Sequence, residues 1–130
     1  MKNENPVVWF EIYVDDMQRA KKFYETVFKF ELTEMPMPET DDGEMEMLFF
    51  PSDMDTKNRA SGALVKMEGF KAGNNGTIVY FMSNDCSIEA SRAIDAGGSV
   101  FQSKTSIGEY GYMALIKDTE GNLVGIHSMK

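Results

Sequence analysis

Hydrophobic and polar positions along the chain form one pattern that occurs twice. Val7 to Val14 is dense in β-branched and aromatic residues and predicts a strand. Met17, Ala20, Tyr24, Val27 and Phe28 then follow at helical spacing, with Arg19, Lys21, Lys22 and Glu25 around them. One stripe of that helix faces a core and the rest faces water. Between strand and helix, Asp15 or Asp16 offers a carboxylate to the free N–H groups of the helix start, and Asp15 with Gln18 has the spacing of a capping box. A weaker copy returns at Thr77 to Ala96, where TIVYFMSND ends in Asn84 and Asp85 and runs into CSIEASRAIDAGG, closed by Gly97 as a left-handed cap.

Three strand candidates follow each helix. In the first half they are Phe30 to Met35, Glu44 to Pro51 and Gly62 to Met67; in the second, Ser99 to Lys104, Tyr110 to Lys117 and Asn122 to Ser128. The order is βαβββ, twice. Pro36 to Gly43 and Ser52 to Ser61 are polar and read as loops, and Gly69 to Gly76 reads as a linker. Halves of about 60 residues are too long for solenoid units and suit a duplicated half-domain within one domain. Module 1 then spans about 6–68, the linker 69–76 and module 2 about 77–130.

Composition narrows the function. With 130 residues and 42% hydrophobic content, the chain has material for one ordinary core. A formal charge of -8 argues against nucleic-acid and anionic-membrane partners, which require clustered Lys and Arg, and leaves neutral or cationic small molecules open. No run reaches transmembrane length and MKNENP has no signal-peptide apolar region, which predicts a cytoplasmic protein. The lone Cys86 has no disulfide partner in the chain and reads as a small, partly buried residue rather than a reactive thiol. Of the 11 methionines, Met35, Met37, Met45, Met47, Met54 and Met67 lie in the first half outside its helix and read mainly as core filler, with an adaptable apolar cavity as the other reading. The cluster Asp41, Asp42, Gly43, Glu44 and Glu46 lacks the spacing of a calcium loop and reads as a solvated turn.

The repeat, the phrase DDMQRAKKFYETVF and the near-terminal DTEGNLVGIH together resemble the vicinal oxygen chelate superfamily of glyoxalases, bleomycin-resistance proteins and extradiol dioxygenases. Asp16, Arg19, Phe23, Tyr24, Asp118, Gly121 and Asn122 carry the resemblance, which covers Val7 to Ser128. It implies an α+β fold in which two βαβββ modules form an incomplete eight-stranded barrel around a cleft. It also implies a divalent metal held by side chains on the first and last strands of each module, with open positions for substrate oxygens.

Carried over position by position, that ligand set falls on Trp9, Ile78, Gly125 and a fourth-strand region of Ala63, Leu64 and Val65, with Val65 taken as the position, and none of them offers a ligand atom. Those residues argue against glyoxalase I and dioxygenase activity and imply no cofactor, with a metal at displaced ligands as the alternative. Strand parity places Glu11 and Tyr13 with Trp9, Ala63 and Met67 with Val65, Tyr80 and Met82 with Ile78, and His127 with Gly125. The predicted ligand-binding set is Trp9, Glu11, Tyr13, Val65, Tyr80, Tyr112 and His127 in an apolar, aromatic cleft. Tyr110 and Tyr112 share parity on the seventh strand, and either reach a ligand or simply pack there.

Three functions follow from this set. The first is metal-free binding of a small organic molecule by a homodimer, as in the bleomycin-resistance branch. The second is lyase- or isomerase-type proton chemistry with Glu11 as the catalytic acid or base, alone or with His127. The third is a partner-binding domain whose cleft has lost its chemistry.

Overall fold

The computed structural model describes residues 7, 9–34, 45–52, 60–73 and 75–130. Met35, Met37, Met54, the Asp41–Glu44 part of the acidic cluster and most of the two predicted loops lie outside the described residues.

Two units of the same design account for the described chain. In the first, β1 (Trp9–Tyr13) leads to α1 (Met17–Phe28), then β2 (Thr33–Glu34), β3 (Met45–Phe49) and β4 (Ser61–Met67). In the second, β5 (Tyr80–Met82) leads to α2 (Cys86–Asp95), then β6 (Ser99–Ser106), a single 3-10 turn at Gly108–Tyr110, β7 (Tyr112–Lys117) and β8 (Leu123–Ser128). Each unit forms a four-stranded mixed sheet, β1-β4-β3-β2 and β5-β8-β7-β6, whose first and last strands run parallel. Neither sheet closes on the other into a barrel, and among the described residues no strand pairing joins them.

Helix α1 begins where Asp16, in extended conformation, accepts the Arg19 N–H at 3.0 Å. Asp15 does not form the predicted capping box; its carboxylate accepts the Ala72 N–H from the linker at 3.2 Å. Helix α2 is capped by Asp85, which accepts the Ser87 N–H at 3.1 Å, and it closes at Gly97, whose φ of +95° is the left-handed conformation that a glycine reaches without strain.

Both helices pack over one side of both sheets. The shared core runs from Ile12, Leu48 and Leu64 of the first sheet through Phe23, Tyr24 and Val27 of α1 to Ala90 and Ala93 of α2 and Ile116, Val124 and Ile126 of the second. Cys86 is fully buried there. Met45, Met47 and Met67 are not in this core: the register pairs Met45 with Met67 and Met47 with Val65, which puts all three on the opposite, helix-free face in half-buried positions.

A polar junction fixes one module on the other. The β7–β8 turn puts Glu120 under the start of α1, where its carboxylate accepts the Asp15 and Asp16 N–H groups at 3.0 and 2.8 Å and pairs with Arg19 at 2.6 Å. Burial works to raise the Glu120 carboxyl, but Arg19, the Asp16 N–H, Thr119 and the Asp15 N–H outweigh it and hold the group below the ordinary range. Buried Asp118 accepts the Tyr24 hydroxyl at 2.7 Å; burial raises its carboxyl, and bonds from Tyr24, Asn122 and Glu120 only partly offset that. Asn122 donates to the Tyr13 carbonyl at 2.9 Å and accepts the Gly73 N–H at 2.6 Å, so it ties β1, the linker and β8 together. No helix among the described residues is long and apolar enough to cross a membrane.

Candidate functional site

The helix-free faces of the sheets carry the site candidates. On the first, the register Trp9↔Ser61, Glu11↔Ala63 and Tyr13↔Val65 confirms one face for Trp9, Glu11, Tyr13, Ala63 and Val65. Ala63 and Val65 are fully buried and form the floor of that face, whereas Trp9 is 40% exposed. Glu11 stands between its two neighbours: the Trp9 indole N–H donates to Oε2 at 3.1 Å and the Tyr13 hydroxyl donates to Oε1 at 2.7 Å. That hydroxyl bond, with burial and the charge of Glu11, pushes the Tyr13 phenol up to about 12. Trp9 also meets Phe49 at a ring separation of 5.8 Å, and Tyr13 stacks on Phe70 at 4.9 Å.

On the second sheet, Tyr80 pairs with Gly125, Met82 with His127 and Met113 with His127, so these five share the helix-free face. Tyr80, Gln102, Thr105, Ile107, Met113 and His127 line a cavity of about 580 Å³, inside the range of small-molecule sites. At its floor the His127 Nε2 lies 2.7 Å from the Tyr110 carbonyl. A carbonyl only accepts, so Nε2 carries the proton and Nδ1 of the neutral ring is left as an acceptor.

Tyr112 is displaced from the predicted set. It pairs with Ser128, one residue out of step with His127, and therefore faces the helices, where the Lys104 ammonium sits 4.7 Å from its ring. Tyr110 belongs to the 3-10 turn and not to β7, so the two tyrosines do not share a strand. Gln102, Thr105, Ile107 and Met113 are additions to the predicted set. β6 shifts register between Val100 and Gln102 and again between Gln102 and Thr105, and such bulges leave no mark in a hydrophobic pattern.

Glu11 and Tyr13 line a second, smaller cavity of about 230 Å³, with Lys71, Thr77 and Val79 among its walls, where the β1 edge passes the segment leading into β5. The two cavities share no lining residue, and β1 and β8 belong to different sheets. The strand adjacency that a Glu11/His127 acid–base pair requires is therefore missing within one chain.

The residues do not fit the family's metal. Val14 and Ser83, each two residues before a capping aspartate, donate their N–H groups to the carbonyls of Val65 and His127 at 3.0 and 2.8 Å. Val65 is thus the repeat counterpart of His127, and Ala63 that of Gly125, which moves the fourth ligand position from Val65 to Ala63. A methyl group is no better a ligand. At Gly125 a Cβ would stand 2.3 Å from the Tyr80 ring, so an aromatic face fills the space a carboxylate ligand needs. Among the described residues no three His, Cys, Asp or Glu side chains gather as a metal site.

The bleomycin resistance protein-like N-terminal family matches residues 7–44, the stretch that holds β1, α1 and β2. Fold similarity covers nearly the whole chain. A glyoxalase/bleomycin resistance protein from Albidiferax ferrireducens superposes with a TM-score of 0.63 at 20% identity, covering 94% of this chain and 98% of that one. The chain has the fold of this glyoxalase/bleomycin resistance protein. Other structures similar to this chain are glyoxalase I from Zea mays (TM-score 0.70, 18% identity, 93% of this chain and 45% of that one) and an antibiotic-binding protein from a Streptomyces species (TM-score 0.63, 20% identity, 98% of each). The chain spans less than half the length of the maize enzyme. No functionally curated protein is significantly similar to it in sequence.

Proposed function

We propose that this chain binds a small organic molecule on the helix-free faces of its sheets, without the divalent metal that the family resemblance implies, and that a second copy of the chain closes the cleft. The observation that carries the reading is the cavity of about 580 Å³ walled by Tyr80, Ile107 and Met113, with His127 presenting one acceptor nitrogen and the Tyr80 ring lying over Gly125. An apolar cavity with few polar groups holds a ligand by burial and orients it by one or two hydrogen bonds. The antibiotic-binding Streptomyces protein, which matches along its whole length, supports binding as a use of this fold. Trp9, Glu11 and Tyr13 contribute from the first sheet.

Closure by a second copy is supported by what the single chain leaves open. Trp9 at 40% and Tyr80 at 49% exposure stand on faces that no helix covers, and large rings so placed mark an interaction surface.

The test is saturable binding of planar neutral aromatic compounds, followed by thermal shift and by quenching of Trp9, with and without prior chelation of metals. Binding that survives chelation and weakens at least tenfold in Tyr80→Ala is expected, together with a dimer mass in sedimentation. Binding that appears only after adding a divalent metal would reverse the assignment.

A further inference from the structure

Among the described residues three ion pairs occur, Arg19–Glu120, Lys21–Glu25 and Lys104–Asp85, and Glu11 is in none of them. Lys71 lines the same small cavity as Glu11, yet its ammonium makes no ion pair with the carboxylate. Glu11 is nevertheless held firmly, with one donor on each oxygen. Each carboxylate oxygen has two lone-pair sites, so a pair of acceptor positions remains, one on either oxygen. Rings flank them: Trp9 with Phe49 on one side, and Tyr13 with Phe70 on the other.

We infer that Glu11 and these four rings recognise the cationic end of the ligand, a primary or secondary organic ammonium carried on an apolar body. Among the described residues no cation pairs with Glu11, so a neutral or anionic ligand would leave that fixed carboxylate without a counter-charge from them. An ammonium supplies both the charge and the two N–H donors the free lone pairs can take. Its positive charge is also attracted to the ring faces, and the apolar body covers them. The formal charge of -8 over the chain draws cations toward the protein and repels anions. The inference rests on the proposed binding function and narrows its ligand class.

Three compounds of one shape separate the two claims: phenethylammonium, 2-phenylethanol and phenylacetate, titrated against the single tryptophan, Trp9, near neutral pH. Phenethylammonium is expected to bind at least tenfold more tightly than either of the others and to lose that advantage in Glu11→Gln and in high salt. Trp9 quenching by all three with equal affinity, unchanged in Glu11→Gln, would overturn the cation assignment and leave small-molecule binding standing. Absence of saturable binding by any of them, and by the neutral aromatics of the earlier test, would overturn both. Far-ultraviolet circular dichroism of Glu11→Gln, whose carboxylate lies on the surface, confirms that a lost signal is not a lost fold.

Discussion

A phenol that donates to a carboxylate gives up its proton only by placing two negative charges at the distance of a hydrogen bond. Tyr13 is in that position over Glu11, at 2.7 Å, and its ionisation is pushed from 10.0 up to about 12 by the bond, by burial and by the neighbouring charge. Tyr13 therefore serves as a proton donor at any physiological pH and never as a base. In Glu11→Gln the bond loses its charge and the phenol is expected to titrate below about 12, with the contribution of burial still raising it above its ordinary value. A tyrosine-labelled NMR titration, with the resonance assigned through Tyr13→Phe, measures this directly; a Tyr13 that ionises near 10 in the unmodified protein contradicts the clamped geometry. The alternation of β1 alone places Trp9, Glu11 and Tyr13 on one face, and the strand register agrees. Their mutual hydrogen bonding is not legible in the alternation, because parity fixes a face and leaves the side-chain rotamers open.

At the scale of elements, sequence is most informative where one residue type has one physical job. Asp16 and Asp85 each stand before a helix and each caps it. Asp15 and Asp16 are equivalent on pattern alone, and the tertiary contact with Ala72 separates them. Asp16→Ala is expected to cost about 0.5–2 kcal/mol, the usual loss of an N-cap. Asp15→Ala costs less, since its bond to the Ala72 N–H is exposed and water replaces it. Urea midpoints for the two variants check the order, and a larger loss for Asp15→Ala would contradict the assigned cap. The strands are less legible. β7 is apolar on both faces, Tyr112, Ala114 and Ile116 against Met113 and Leu115, so alternation does not say which set faces the helices. That ambiguity puts Tyr112 on the ligand face in the sequence reading, where the structure has Met113. The paired ends of β1 and β4 likewise show that placing a ligand position by its region of a strand finds the strand and leaves the register open by two residues, as between Val65 and Ala63.

Over the whole molecule, the duplicated order of elements is readable because it is written twice, whereas the way one copy sits on the other depends on few residues far apart in sequence. Asn122 shows why. In the sequence it is one marker within the DTEGNLVGIH phrase, yet its work is to give one side-chain N–H to the Tyr13 carbonyl and to take the Gly73 N–H, joining three segments. Such a role has no local signature. Truncation leaves two partly buried backbone groups without partners, and each orphaned group costs about 1–3 kcal/mol, so Asn122→Ala is expected to lower stability by about 2–6 kcal/mol. The core that runs through both helices and both sheets predicts that the modules nevertheless unfold together. In guanidinium titrations, Trp9 fluorescence reports module 1 while far-ultraviolet circular dichroism reports the whole chain. The two transitions should coincide in the unmodified protein and move together to lower denaturant in Asn122→Ala. If Trp9 alone shifts, the polar junction holds only the first module in place, and the faces that carry Glu11 and His127 are free to change their relation without unfolding.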